Sequence, residues 1–266
     1  MADQASSWTS ILPSLAAILN AVAWPAVALY ILLDHRVQIS RLLQVLEKKL
    51  NSAKKVKLAQ IEISDFENEA DKAIVEAREG VDDSKTPQEI LQGQIKAAVN
   101  FDSKIDPEPA SESRALETVR RRIFALAGEY EKVRKEMPSG PLRTRKMNEI
   151  SAAMRTLALA GLPLRTSLVK SNSVGKRLAA ICMLQVEPRP RYFRWLVERI
   201  KAEDQAFILF QASLAILETV KRGFYINPTE TRYSIEDAIR VVSSFPGGQP
   251  DRNTIDVLNE ALSSVR

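Results

Sequence analysis

The chain has 266 residues, a net charge of +5, one cysteine and one histidine. That length holds one medium domain with an appendage, or two small domains. Cys182 alone excludes an internal disulfide. With His35 the only histidine, no Cys/His cluster exists for a metal, and the C-terminal body has no histidine for nucleophilic or acid–base chemistry.

Residues 1–9 carry one charge, Asp3, and residues 10–33 carry none. The run SILPSLAAILNAVAWPAVALYILL is 24 residues long. As a helix it spans about 36 Å, enough to cross a ~30 Å hydrocarbon core with tilt. Trp8 and Tyr30 stand near its ends, where aromatic rings favour the headgroup region. Pro25 would break a helix in water but is tolerated in a bilayer. A signal peptide is one rival, but Met1–Trp8 lacks the Lys or Arg of a positive n-region. A buried core helix is the other. The expectation is a transmembrane helix over 10–33 with a short extracytoplasmic N-terminus. Ser14, Ala17, Asn20 and Ala21 bring small residues and one amide to a common face, the pattern of a self-associating span. The alternative is that Asn20 bonds its own helix backbone in a monomer.

Residues 34–60 hold seven Lys and Arg against two Asp and Glu. The seven are Arg36, Arg41, Lys48, Lys49, Lys54, Lys55 and Lys57. The positive-inside rule then places everything after the span in the cytoplasm. These side chains either meet anionic lipid directly or only fix topology. Val37–Leu50 reads as an amphipathic helix, and KKVKLAQIEIS (54–64) as a short strand. An apolar run containing WP, an Arg-bearing amphipathic stretch and Lys-rich residues leading into IEI resembles the N-terminus of uncharacterised bacterial single-pass membrane proteins. That resemblance implies a bacterial inner-membrane setting.

Residues 61–117 reverse the charge, with fifteen Asp and Glu against six Lys and Arg. DFENEADKAIVEARE (65–79) reads as a short acidic helix. VDDSKTP and DSKIDPEPASES are rich in Pro, Ser and acid, so 65–113 reads as an acidic, partly disordered linker with one helix over Glu89–Val99. No EF-hand spacing accompanies the acids.

From Arg114 the pattern is helical, and 114–266 is expected to form one α-helical domain. Leu116, Val119, Ile123, Leu126, Ala127 and Tyr130 form one stripe. PSGP (138–141) ends that helix. Met147, Ile150, Met154, Leu157 and Ala158 mark the next, and GLP (161–163) interrupts again. RLAAICMLQ (177–185) then matches FQASLAILE (210–218) at an offset of 33 residues. PRYFRWLVERI lies between them, with Phe193, Leu196, Val197 and Ile200 facing inward. YSIEDAIRVVSSF and NTIDVLNEALSSV would be a third pair, capped by Ser234 and by Asn253 or Thr254. Residues 140–265 resemble HEAT or armadillo-like helical repeats. The chain is thus expected to be all-α, with an irregular helical bundle as the alternative.

No GxGxxG, Walker loop, GxSxG, HExxH or paired-cysteine motif is present. SVGKRL (173–178) lacks P-loop spacing, so Gly175 and Lys176 read as a helix start. Cys182 reads as a buried, inert thiol. No cofactor, metal or catalytic set is expected. The candidate binding surface is Arg191, Tyr192, Arg194, Trp195 and Arg199, where basic groups stand beside aromatic ones. The expected function is a membrane-tethered adaptor that binds a protein partner. A nucleic-acid binder and an enzyme with an unrecognised site are the alternatives.

Overall fold

Short capping signals set where the helices begin. The Thr86 side chain accepts from the Glu89 amide, and the Glu89 side chain accepts from the Thr86 amide, with Pro87 opening the first turn. Ser173 caps in the same way onto the Lys176 amide. Asn227 accepts from the amides of Thr229 and Glu230, again ahead of a proline.

The computed structural model describes residues 65–266 except 83, 106–108, 226 and 245–250, and among these every regular element is helical. α1 covers 65–79. It is followed by α2 (Pro87–Asp102), α3 (Pro109–Glu136), α4 (Pro141–Thr156), α5 (Arg165–Val169) and α6 (Val174–Val186). α7 (Phe193–Ala202), α8 (Ala206–Lys221), α9 (Pro228–Ser243) and α10 (Arg252–Ser264) complete the chain. Single 3-10 turns stand at Leu162–Leu164 and Pro190–Tyr192. Ile63–Arg266 forms one compact unit.

α8 is its centre. FILFQASLAIL is apolar on nearly every side, so this helix is buried all round rather than along one stripe. It packs against α6, α7 and α10. α7 also meets α9, and α9 meets α10. On the N-terminal side α3, α4 and α6 pack mutually, and α2 lies on α4 and α6. The stripe expected on α3 is observed: Val119, Ile123, Leu126, Ala127 and Tyr130 are buried, with Leu116 half-buried. Leu196, Val197 and Ile200 of α7 face the core as expected.

Residues 65–113 differ from the expected linker. Ala70, Leu91, Ala98 and Phe101 are buried, and Ala70, Ala98 and Phe101 join the same core as α3–α10. Phe66 and Phe101 stack with ring centroids 5.5 Å apart. Burying a Leu or Phe is worth about 1.5–3 kcal/mol, more than an exposed ion pair at ~0–1 kcal/mol. The acids add complementarity. Asp71 accepts from Arg122 at 2.8 Å, Glu67 pairs with Arg121, and Arg78 makes a bidentate contact with Glu129 at 2.6 and 3.1 Å. The compact unit thus begins well before the expected boundary at 113/114.

Two expected caps also move. Ser234 lies inside α9, because Asn227 and Pro228 start that helix earlier. α10 begins after Asp251, whose carboxylate accepts from the Thr254 hydroxyl at 2.6 Å. Among the described residues no helix is long and apolar enough to cross a membrane. The expected span 10–33, its face of Ser14, Ala17, Asn20 and Ala21, the basic residues Arg36 to Lys57 and the strand 54–64 lie outside the described residues.

Candidate functional site

The Pro190–Tyr192 turn feeds α7 into the structure so that one side of the helix faces the start of α9. Arg191, Arg194, Glu198 and Lys201 recur at three- and four-residue steps and share that side. The opposite wall is Tyr225, Asn227, Glu230 and Tyr233, brought there because Asn227 starts α9 at this point. Val197 is part of the apolar lining. Together they enclose a groove of about 560 Å³.

Within the groove Arg194 pairs with Glu198 at 3.2 Å. Lys201 pairs with Asp237, which also accepts from Arg240 at 2.9 Å. The Asp237 carboxyl is held below the usual carboxylate range, first by Arg240 and then by Lys201. Arg191 joins no ion pair among the described residues; its guanidinium stands 4.7 Å from the centre of the Tyr192 ring. Tyr233 is 64% exposed, with Arg240 stacked on it. The groove therefore offers one cation outside any ion pair among the described residues and a largely exposed tyrosine.

Of the five surface residues picked out by sequence, Arg191 and Arg194 reach the groove. Tyr192, Trp195 and Arg199 do not line it. Tyr192 is buried, its hydroxyl sharing a 3.2 Å hydrogen bond with Thr166 and its ring also meeting Arg165 at 5.2 Å. Burial raises the Tyr192 phenol pKa, but Thr166, Arg191 and Arg165 outweigh that and bring it below the ordinary value. Arg199 stacks on Trp195 at 5.7 Å and donates to Glu203 at 3.4 Å. Glu203 is buried and takes a bidentate contact from Arg177 at 2.6 and 2.9 Å. Tyr192 thus ties the start of α7 to α5, whereas Trp195 and Arg199 stack within α7 and Arg199 meets Glu203 at its end.

Tyr225, Glu230 and Tyr233 were not singled out by sequence. The pair Asn227-Pro228 was the available signal, since it marks a helix start that turns these residues toward α7. Gly175 and Lys176 do open α6, and Cys182 is fully buried, its thiol pushed up to about 11 by desolvation. Compared with known proteins, the chain matches no family model, no curated sequence and no solved structure.

Proposed function

We propose that this chain is a membrane-tethered adaptor whose α7–α9 groove receives an acidic segment of a protein partner. The observation that carries this reading is that Arg191, which joins no ion pair among the described residues, lines the same groove as the exposed Tyr233. A cation outside any ion pair and a largely exposed tyrosine suit an extended segment bearing carboxylates. Arg194 and Lys201 are already paired with Glu198 and Asp237, which leaves too few free cations for the many phosphate contacts of a nucleic-acid backbone, so a protein partner is the stronger reading.

The body is read as HEAT-like helical repeats. The succession of contacts from α6 to α8 to α10, with α7 and α9 packed beside them, supports that reading. The uncharged run 10–33 and the basic residues after it support a single-pass anchor in a bacterial inner membrane, N-terminus out, with the groove in the cytoplasm. Self-association through Ser14, Ala17, Asn20 and Ala21 would array several grooves side by side.

The test places a photo-crosslinking residue at Tyr233 of the full chain in membranes. A discrete crosslinked protein is expected, and it is lost in Arg191→Glu/Arg194→Glu. Crosslinking unchanged by that double change removes the groove as the partner site. Release of the full chain by alkaline wash would remove the anchor.

A further inference from the structure

A second polar cluster centres on Arg155. Arg155, near the end of α4, is 5% exposed. Its Nε donates to Gln185 Oε1 and its Nη1 to Gln94 Oε1, both at 2.5 Å, and its Nη2 donates to Gln211 Oε1. The glutamines come from three helices, α6, α2 and α8. Among the described residues no carboxylate takes part. A buried cation that keeps its charge ordinarily has an anionic partner, because desolvating it unpaired costs several kcal/mol.

The guanidinium cannot accept a hydrogen bond, so it fixes how the three amides point. Their oxygens face Arg155. The Gln185 amide nitrogen is used, donating to the Gln211 carbonyl at 2.6 Å and to Gln211 Oε1 at 3.0 Å. The amide nitrogens of Gln94 and Gln211 donate to no group among the described residues. Two of the five guanidinium N–H groups also remain.

These donors border a cavity of about 80 Å³ between α2, α4 and α8. Gln94, Arg155 and Gln211 line it together with the Asn148 amide, and Ile90, Phe210 and Leu214 supply apolar walls. Among the described residues no Asp or Glu lines it. The space is far below the ~300–1,000 Å³ of a drug-sized ligand site. At ~10–15 Å³ per water it holds on the order of five to eight small atoms.

We infer that this cavity binds a small free monocarboxylate of about two to four carbons, its carboxylate on Arg155, Gln94 and Gln211 and its short alkyl tail against Ile90, Phe210 and Leu214. A carboxylate accepts several hydrogen bonds and donates none, which matches a pocket floor with donors in excess and, among the described residues, no acidic group. Phosphate would carry more charge than one guanidinium offsets and has no apolar part for the walls.

The experiment uses the full chain in neutral detergent with butyrate as the probe. Ionic strength is held constant with sodium chloride. Butyrate is expected to raise the unfolding temperature saturably, by roughly 5–10 °C at a hundred times its Kd. Butyramide, of the same shape without charge, is expected to give no shift. Arg155 holds three helices together, so the informative variant is Asn148→Asp. It places a carboxylate in the cavity, should fold, and should no longer respond to butyrate. An equal shift from butyramide, no shift from butyrate, or a wild-type response in Asn148→Asp overturns the inference. A blocked glutamate peptide that binds where butyrate does not would also overturn it, because the carboxylate would then come from a polypeptide.

Discussion

Gly175, at the start of α6, lies against the backbone of Ala127 in α3: a Cβ built on it would stand 2.2 Å from the Ala127 carbonyl oxygen. The Glu131 carboxylate locks the contact, accepting from the Gly175 amide at 3.1 Å and from the Ser173 hydroxyl at 2.6 Å. Only a glycine lets the two helices approach this closely. Gly175→Ala must push α6 away from α3, and overpacking of this kind costs ~1–3 kcal/mol. Gly128, one residue further along α3 than Ala127, has nothing within 4 Å of its added Cβ. There alanine should instead stabilise by ~0.5–1 kcal/mol through helix propensity. Urea unfolding of the two variants should move in opposite directions.

Phe101 tests whether α1 and α2 belong to the folded body. It is fully buried and stacks on Phe66. Phe101→Ala is expected to cost ~3–5 kcal/mol, as large-to-small changes in a packed core do. A fragment starting at residue 114 also loses Gln94, one of the three acceptors of Arg155. It should unfold at a lower temperature than a fragment starting at 63. Equal stability of the two fragments would show that α1 and α2 are dispensable.

The arginines of the Pro190–Tyr192 turn and α7 should separate by function. Arg191→Glu and Arg194→Glu change exposed side chains and should alter stability by less than ~0.5 kcal/mol. Arg199→Glu sets a new carboxylate beside Glu203, which is 7% exposed. Leaving a buried charge short of a partner costs ~1–3 kcal/mol or more. Thermal unfolding of the three single variants would reveal this difference, and a harmless Arg199→Glu would argue against the Glu203 contact.

Glu218 gives a pH-dependent prediction. Burial raises its carboxyl pKa above the ordinary carboxylate value, against Arg222, Lys221 and the Gln92 amide, which lower it. The folded chain therefore holds this proton more tightly than the unfolded chain. Its contribution falls as pH rises from the ordinary carboxylate value through the raised one, and stays unfavourable at neutral pH. Glu218→Gln keeps an oxygen for the Gln92 amide and removes the charge. The variant should melt above wild type at pH 7, and the difference should shrink as the pH is lowered through that window. A difference independent of pH would mean that Glu218 does not titrate in this way.

The sequence by itself determined the helices of the C-terminal body, because apolar periodicity and chain breaks are local. The stripe on α3, the break at PSGP and the inward face of α7 were all legible. α9 was read as starting late because PTETRYS, its first two turns, is polar and mostly exposed; the apolar period begins only at Ile235. Tertiary structure alone decided the rest. Residues 65–113 look like a solvated linker until their acids meet Arg121 and Arg122 and their few apolar residues find the core. Gln185 and Gln211 were single amides in apolar runs, and nothing local tied them to Arg155. Five residues of the Pro190–Tyr192 turn and α7 looked like one surface, and the position of α9 divided them. A period is a property of one helix, whereas burial, ion pairing and cavities depend on which helix lies opposite.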